Sequence, residues 1–198
     1  MDKEKEVQIK FKVEFLGKTF PEYSGLEELR HWCAQFHKSG LTPSFAKGTL
    51  GNLSFRTGAG KEEFLITASA VGFKDDLKTE DFVLVSSVDM KDMVVYAYGK
   101  RAPSSESMLH YAIYKAREDV NAVFHGHCRK MLDNSDKFGI QETEKAEPYG
   151  SPELVDSVLK LLGDNAFIIM KEHGFLSLGK TMDIAGGQAL KILAECAG

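Results

Sequence analysis

The hydrophobic pattern begins as a strand and then changes to a helix. Apolar and polar residues alternate strictly over residues 7–15, which predicts a half-buried strand with one wet face. Apolar residues then recur at helical spacing over residues 26–36. Ser24 followed by Glu27 is a capping-box signature for this helix, and Gly40 is a typical residue just beyond its end.

The remaining pattern predicts short strands mixed with helices. The predicted strands cover residues 53–56, 64–67, 82–85, 93–98, 121–127 and 166–170. Helices are predicted after Ser105, after Ser151, where Pro152 takes the first helical position, and from Thr181. Residues 129–148 are polar and weakly patterned, so we predict mostly loop there. This order of elements indicates one α/β domain over residues 1–198.

Composition and charge narrow the class of protein. The 198 residues are 43% hydrophobic and 27% charged, which is typical of one globular domain with a sizeable core. A net charge of −4 disfavours a nucleic-acid groove or a basic membrane-surface helix. The longest apolar run is only six residues, and the first residues show no apolar signal core. Three cysteines favour reduced thiols in a cytoplasmic protein.

Two histidines at alternate positions carry the strongest chemical signal. His125 and His127 lie on a predicted strand, where residues two apart point to the same face and can converge on one metal ion. His173, just past the predicted strand 166–170, is a candidate third ligand. The alternative is two unrelated surface histidines and a turn histidine, and spacing alone does not decide between them.

A second candidate region lies at the start of the predicted helix after Ser105. Glu106 is either an acid that suits the helix dipole or a catalytic base. Ser104 and Ser105, with the helix N-terminal amides, either cap the helix or bind an anion. Asn52 follows Gly51 where the chain enters a strand, and the alternative for this pair is a simple turn. His110, on the apolar side of the helix, is expected to be a buried structural histidine.

Taken in order, five motifs resemble the class II aldolase/adducin family. They are Gly51-Asn52-Leu53-Ser54, Ile66-Thr67-Ala68-Ser69, Pro103-Ser104-Ser105-Glu106 with His110, residues 117–127 ending in His125-Gly126-His127, and His173-Gly174 with Gly179. Each motif alone is weak, but five in this order are specific, and the resemblance runs from about residue 25 to 195.

The resemblance implies a fold and an activity. The family fold is a three-layer α/β/α sandwich around a mainly antiparallel sheet, so residues 1–20 would be an additional N-terminal strand segment. Family members typically form homotetramers with active sites at subunit interfaces. The implied activity is that of a zinc-dependent aldolase-type lyase, which cleaves a carbon–carbon bond of a small sugar phosphate or related hydroxy-carbonyl compound through a metal-stabilised enediolate.

The same resemblance implies roles for individual residues. His125, His127 and His173 would hold one zinc ion per chain, although a His₃ site also suits other divalent metals. Glu106 would be the acid/base group. The substrate phosphate would be held by Asn52, Ser104 and Ser105, with Ser69 nearby.

Two departures from the family pattern keep the reaction open. Ser69-Ala70 stands where the aldolases usually carry Thr-Gly or Ser-Gly, and Ala resists positive φ, so a reshaped loop is expected. Only 45 residues separate His127 from His173, and Tyr149 matches the start of the next helix better than it matches the family's proton-donating tyrosine. A dehydratase, epimerase or decarboxylase, and a non-catalytic adducin-like scaffold, therefore stay as alternatives.

Overall fold

The computed structural model describes residues 9–45 and 48–197 of the chain. Its helices are α1 (Leu26–Lys38), α2 (Ser107–Ala116), α3 (Arg129–Asp133), α4 (Pro152–Leu162) and α5 (Met182–Ala197). Its strands are β1 (Lys12–Gly17), β2 (Ser44–Phe45), β3 (Gly48–Thr49), β4 (Asn52–Arg56), β5 (Phe64–Thr67), β6 (Phe82–Asp89), β7 (Val94–Tyr98), β8 (Ala122–Gly126), β9 (Gln141–Glu142), β10 (Phe167–Met170) and β11 (Gly174–Gly179). Short 3₁₀ turns cover Thr79–Asp81 and Asp136–Phe138.

Nine of these strands form one mixed sheet in the order β1-β7-β6-β5-β4-β8-β11-β10-β9. Neighbouring strands from β7 to β10 are antiparallel, whereas the two edge pairs, β1 with β7 and β9 with β10, are parallel. The prediction of a mainly antiparallel sheet is confirmed. A separate two-stranded ladder joins β2 to β3.

Helices cover both faces of the sheet, which gives the three layers that the resemblance implies. On one face α1, α3 and α5 pack together, and Phe36 of α1 stacks edge-on against Phe124 of β8. On the other face α2 packs beside α4, and Ser54 of β4 hydrogen-bonds His110 of α2 at 2.7 Å. The α/β fold class is therefore confirmed.

Two local predictions near the N-terminus need correction. The first strand runs over Lys12–Gly17, and residues 7 and 8 of the predicted strand lie outside the described residues. Phe15 was expected on the buried face but is 48% exposed, because β1 is an edge strand whose register shifts between Phe15 and Gly17. The predicted cap is also wrong: Gly25, and not Ser24, precedes α1, and no side chain caps the helix. Position 25 requires glycine because a Cβ there would lie 2.6 Å from the ring of Phe55.

The second half of the chain confirms the predicted helix starts and adds one strand. Ser151 Oγ accepts a hydrogen bond from the Leu154 amide at 3.2 Å, and Thr181 Oγ1 accepts one from Ile184 at 3.2 Å. The pattern gave no sign of β11, whose residues are buried throughout and so show no alternation. The predicted loop 129–148 contains the short elements α3 and β9.

None of the described helices is both long and apolar enough to cross a bilayer.

Candidate active site

The structure brings the three candidate metal ligands together. His125 lies in β8, His127 directly follows that strand, and His173 lies in the turn between β10 and β11. Because β8 and β11 are paired, with Phe175 opposite Gly126, the turn is held against the end of β8. One ring nitrogen of each histidine lies within 4.8 Å of the others, and the Nε2 atoms of His125 and His127 are 2.9 Å apart.

Backbone geometry in the β10–β11 turn positions His173. Glu172 has a φ of +56°, a left-handed conformation, and the His173 amide donates to the carbonyl of Met170 at 3.0 Å. Gly174 then passes so close to β8 that a Cβ would lie 2.4 Å from the Gly126 oxygen and 2.7 Å from the His125 ring. Only glycine permits this approach, which carries the third histidine to the first two.

Hydrogen bonding and burial set the protonation of the imidazoles. His125 Nδ1 lies 2.9 Å from the Phe175 carbonyl oxygen, which can only accept, so Nδ1 carries the proton and Nε2 keeps its lone pair. Burial, with smaller contributions from neighbouring positive groups, lowers the pKa of His125 and of His127 well below the usual range. Both rings are therefore neutral and able to act as ligands near neutral pH.

Glu106 faces the histidines and does not cap its helix. It precedes α2 with no side-chain capping bond and is 3% exposed. Its Oε2 lies 3.0 Å from His125 Nε2 and accepts a hydrogen bond of 2.8 Å from Asn52 Nδ2, while Oε1 lies 3.4 Å from His173 Nε2. Asn52 and His125 are direct partners in the β4–β8 ladder, so the sheet sets this geometry.

The chemistry of this donor set fits a divalent cation. Neutral imidazole nitrogens and a carboxylate are preferred ligands of zinc and related metals. Within the described part of the chain, Glu106 forms no ion pair with lysine or arginine, so its buried carboxylate lacks a counter-charge. A cation among His125, His127 and His173 would supply that charge.

A cavity of about 200 Å³ opens beside this cluster. The residues around it include every predicted substrate-binding position as well as five residues with no predicted role, Thr49, Leu50, Ala68, Ala70 and Tyr149. The full lining is Thr49, Leu50, Gly51, Asn52, Ala68, Ser69, Ala70, Ser104, Ser105, Glu106, His127, Tyr149 and His173. His127, His173 and Glu106 therefore share one cavity with Ser69, Ser104 and Ser105.

Ala70 adopts the backbone conformation that alanine was expected to resist. Ala70 has a φ of +51°, the conformation that favours glycine. Arg101 holds the segment by donating to the carbonyls of Ser69 at 3.3 Å and Ala70 at 2.9 Å. The loop thus keeps a glycine-like turn at the cost of strain, and Ser69 still reaches the cavity.

Two further residues can be compared with their predictions, and Cys128, which directly follows His127, can be placed as well. Tyr149 precedes α4, as expected, yet it also lines the cavity with His127 and His173. The sequence offered one indication of this position, because Tyr149 is the one tyrosine between those two histidines. His110 is fully buried, and burial lowers its pKa to about 4, which confirms a structural histidine. Cys128 is outside the cluster of potential ligands found in the described residues.

Comparison with known proteins gives the family. A family model described as "Class II Aldolase and Adducin N-terminal domain" matches residues 27–196. The chain belongs to the class II aldolase and adducin family. The resemblance drawn from the five motifs is confirmed, and the chain is a lyase-type enzyme of this family.

Relatives within the family carry more than one reaction name. A 5-methylthioribulose-1-phosphate/5-deoxyribulose-1-phosphate aldolase from Escherichia coli is 30% identical over 79% of this chain and 74% of its own length. A methylthioribulose-1-phosphate dehydratase from Leptospira biflexa is 32% identical over 58% of this chain and 52% of its own length. A solved L-fuculose 1-phosphate aldolase covers 89% of this chain and 84% of its own, with a TM-score of 0.70 and 22% identity, which supports the fold.

Proposed function

We propose that the chain is a zinc-dependent aldolase-type lyase that cleaves a carbon–carbon bond of a small sugar phosphate. The observation that carries this proposal is the clustering of His125, His127, His173 and Glu106 beside one cavity, which the last three of them line. Aldolase-named relatives support the reaction class and the phosphorylated substrate.

The three histidines would hold the metal and leave a position open for substrate. Three protein ligands plus an open position are the usual arrangement of a catalytic zinc site. A metal ion held there would act as a Lewis acid on the substrate's carbonyl oxygen and so favour the enediolate left by bond cleavage. His125 is oriented for this by its hydrogen bond to the Phe175 carbonyl.

Glu106 would move the proton. Asn52 holds Oε2 by a hydrogen bond of 2.8 Å, whereas Oε1 is buried with no hydrogen-bond partner among the described residues. Oε1 is therefore the oxygen free to take a proton from a substrate hydroxyl and return it to carbon. Asn52 would act here by orienting Glu106, in addition to its expected contact with the substrate.

The phosphate would bind at the opposite end of the cavity. Ser69, Ser104 and Ser105 all line it, and the last two immediately precede α2, where backbone amides favour an anion. Phosphate bound away from the reacting carbons would orient the carbonyl between the histidines and Glu106.

The decisive experiment is product analysis with phosphorylated ketoses. Purified, zinc-supplemented protein is incubated with a panel that includes the 5-deoxy and 5-methylthio pentulose 1-phosphates named for the relatives. Aldol cleavage yields two fragments, an aldehyde and a shorter ketose phosphate, which mass spectrometry detects. A single product with the carbon skeleton intact contradicts the lyase reaction proposed here.

Dehydration is the second candidate reaction. The dehydratase-named relative from Leptospira biflexa favours it. Dehydration uses the same metal centre and base, but no carbon–carbon bond breaks: the base removes a proton from carbon, and a hydroxyl group leaves with a proton as water. In the same assay this reaction gives one product that is lighter than the substrate by one water. Epimerisation leaves the mass unchanged, and decarboxylation releases carbon dioxide.

We also propose a homotetramer, as the family resemblance implies. Among the described residues, four large apolar side chains are exposed, namely Phe15, Leu16, Phe73 and Ile184, which fits surfaces covered by other copies. Light scattering on the purified protein tests this, and a monomer at assay concentration contradicts it.

A further inference from the structure

We propose that Lys74 is a positioning residue for the anionic group of the substrate. Its buried ammonium, behind Thr49 and Leu50, supplies the positive charge that the cavity lining lacks. The inference rests on the proposed function only in that the substrate carries a phosphate.

Lys74 is a buried cation without a carboxylate. It is 1% exposed, and its Nζ donates to Thr49 Oγ1, to the Leu50 carbonyl at 3.3 Å and to the Thr49 carbonyl at 3.5 Å. Over residues 9–45 and 48–197, no aspartate or glutamate forms an ion pair with it. An ammonium buried in this way is costly unless something else balances its charge.

The cavity beside Lys74, by contrast, is short of positive charge. Its lining contains serines, Asn52, Glu106 and two of the histidines, but no lysine or arginine among the described residues. Arg101 touches the same loop through the Ala70 carbonyl, yet its charge is already paired with Asp81 at 2.7 Å. Lys10 Nζ lies 4.6 Å from the ring of the lining residue Tyr149 but is exposed to solvent, so Lys74 is the buried cation placed to balance a phosphate in this cavity.

The contacts of Lys74 carry its charge toward the cavity. The Leu50 carbonyl that accepts from Nζ shares a peptide unit with the N–H of Gly51, a lining residue. A trans peptide sets its C=O and N–H on opposite sides, so an ammonium on the oxygen polarises the donor on the far side. The Thr49 hydroxyl, in turn, donates to Gly72 at 3.1 Å and ties the two loops together.

The titratable groups that face Lys74 do not neutralise it. Cys33 of α1 lies near, but burial raises the pKa of its thiol to about 12, so it stays uncharged. Burial is the main cause of the lowered pKa values of His125 and His127, and the charge of Lys74 is the smallest of the contributions that lower them. Burial lowers the pKa of Lys74 itself to about 8.

Anion binding should therefore be linked to the protonation of Lys74. In the free protein the ammonium loses its proton as pH rises past about 8. A bound anion favours the charged form, so binding above that pH takes up a proton and becomes weaker as pH increases. If Lys74 only linked two loops, anion binding would not weaken in this way as pH increases.

Sulfate binding from pH 7 to 9 tests the inference, because the charge of sulfate is constant over that range. Calorimetry is run on the intact chain and on Lys74→Met, which keeps length and apolar bulk but removes the charge. We expect the intact chain to bind sulfate more weakly at pH 9 than at pH 7. We expect Lys74→Met to bind sulfate roughly tenfold to a hundredfold more weakly at pH 7, with an affinity that does not change from pH 7 to pH 9.

Lys191→Met is the matched control, since Lys191 is exposed on α5, and it should bind sulfate as the intact chain does. Equal, pH-independent binding by the intact chain and Lys74→Met overturns the inference and leaves the proposed function standing. No sulfate or inorganic phosphate binding by either protein contradicts both. If Lys74→Met does not fold, a flat pH profile of the intact chain alone still overturns the inference.

Discussion

The two ends of the cavity are built in different ways. At the proposed metal end, His125 and its partner Asn52 lie on paired strands, and the β10–β11 turn brings His173 against them. At the proposed anion end, residues 49–51 and 68–70 line the cavity, and the second segment carries Ala70 in a left-handed conformation.

This difference separates the chemistry from the choice of substrate. Hydrogen-bonded strands hold the proposed metal ligands in a geometry that changes little, which suits chemistry shared across a family. Loops can change length and sequence without disturbing the sheet, so they can adapt to different substrates. The strained turn at Ala70 belongs to the second kind of wall, and the buried Lys74 lies behind that wall.

The largest expected effect is the loss of bound metal when a proposed ligand is removed. His127→Ala removes one of three proposed ligands, so bound metal should fall from about one ion per chain to a small fraction of that. Mass spectrometry of metal content, on protein purified without chelator or affinity-column nickel, measures it. His31→Ala, at an exposed position of α1, is the control. Full metal content in His127→Ala contradicts the ligand assignment, and none in the intact chain after zinc incubation contradicts the metal centre itself.

The next effect separates metal binding from proton transfer. Glu106→Gln keeps the shape of the side chain and can keep the hydrogen-bond contact with Asn52, but it cannot take up a proton. Turnover should fall by about 10²- to 10⁴-fold while metal content is retained. Glu153→Gln, at the exposed start of α4, should leave both unchanged. Full activity in Glu106→Gln rules out its proposed role.

A third change tests how tightly the metal end is packed. Gly174→Ala places a Cβ 2.4 Å from the Gly126 oxygen, so the two strands must separate. The free energy of unfolding should fall by about 2–4 kcal/mol in denaturant titrations. Gly187→Ala, at an open helical position of α5, should instead raise it by up to ~1 kcal/mol. Equal stabilities for the two variants argue against the close approach.

The smallest effect tests the strain at the anion end. Ala70→Gly gives the turn a residue that adopts a φ of +51° freely, so unfolding free energy should rise by roughly 0.5–1 kcal/mol. Ala68→Gly, two residues earlier and without positive φ, should destabilise the chain because it removes a buried methyl group. A loss of stability in Ala70→Gly as well shows that the turn stores no strain.

Local patterns predicted most elements because their physical causes are local. Ser151 before Pro152, and Thr181 before an apolar helical face, each satisfy amide groups within one turn, so sequence alone locates those helices. β11 escaped prediction because Ser177 interrupts its apolar residues, so the segment shows neither alternation nor the continuous apolar run that β10 shows. The predicted capping residue of α1 was wrong because Gly25, which packs against the ring of Phe55, precedes the helix. That contact joins residues far apart in sequence, so the local spacing of Ser24 and Glu27 does not reveal it.

For the site, the sequence by itself determined which chemical groups are present. The His125-Gly126-His127 spacing, Glu106 beside two serines, and the order of the family motifs are properties of the chain alone. Only the tertiary structure decided that Glu106 turns to the histidines, that Tyr149 joins the cavity and that Lys74 is buried with no carboxylate partner among the described residues. These facts depend on residues far apart in the chain meeting across strands and loops, and on the loss of water around them, which no local spacing encodes.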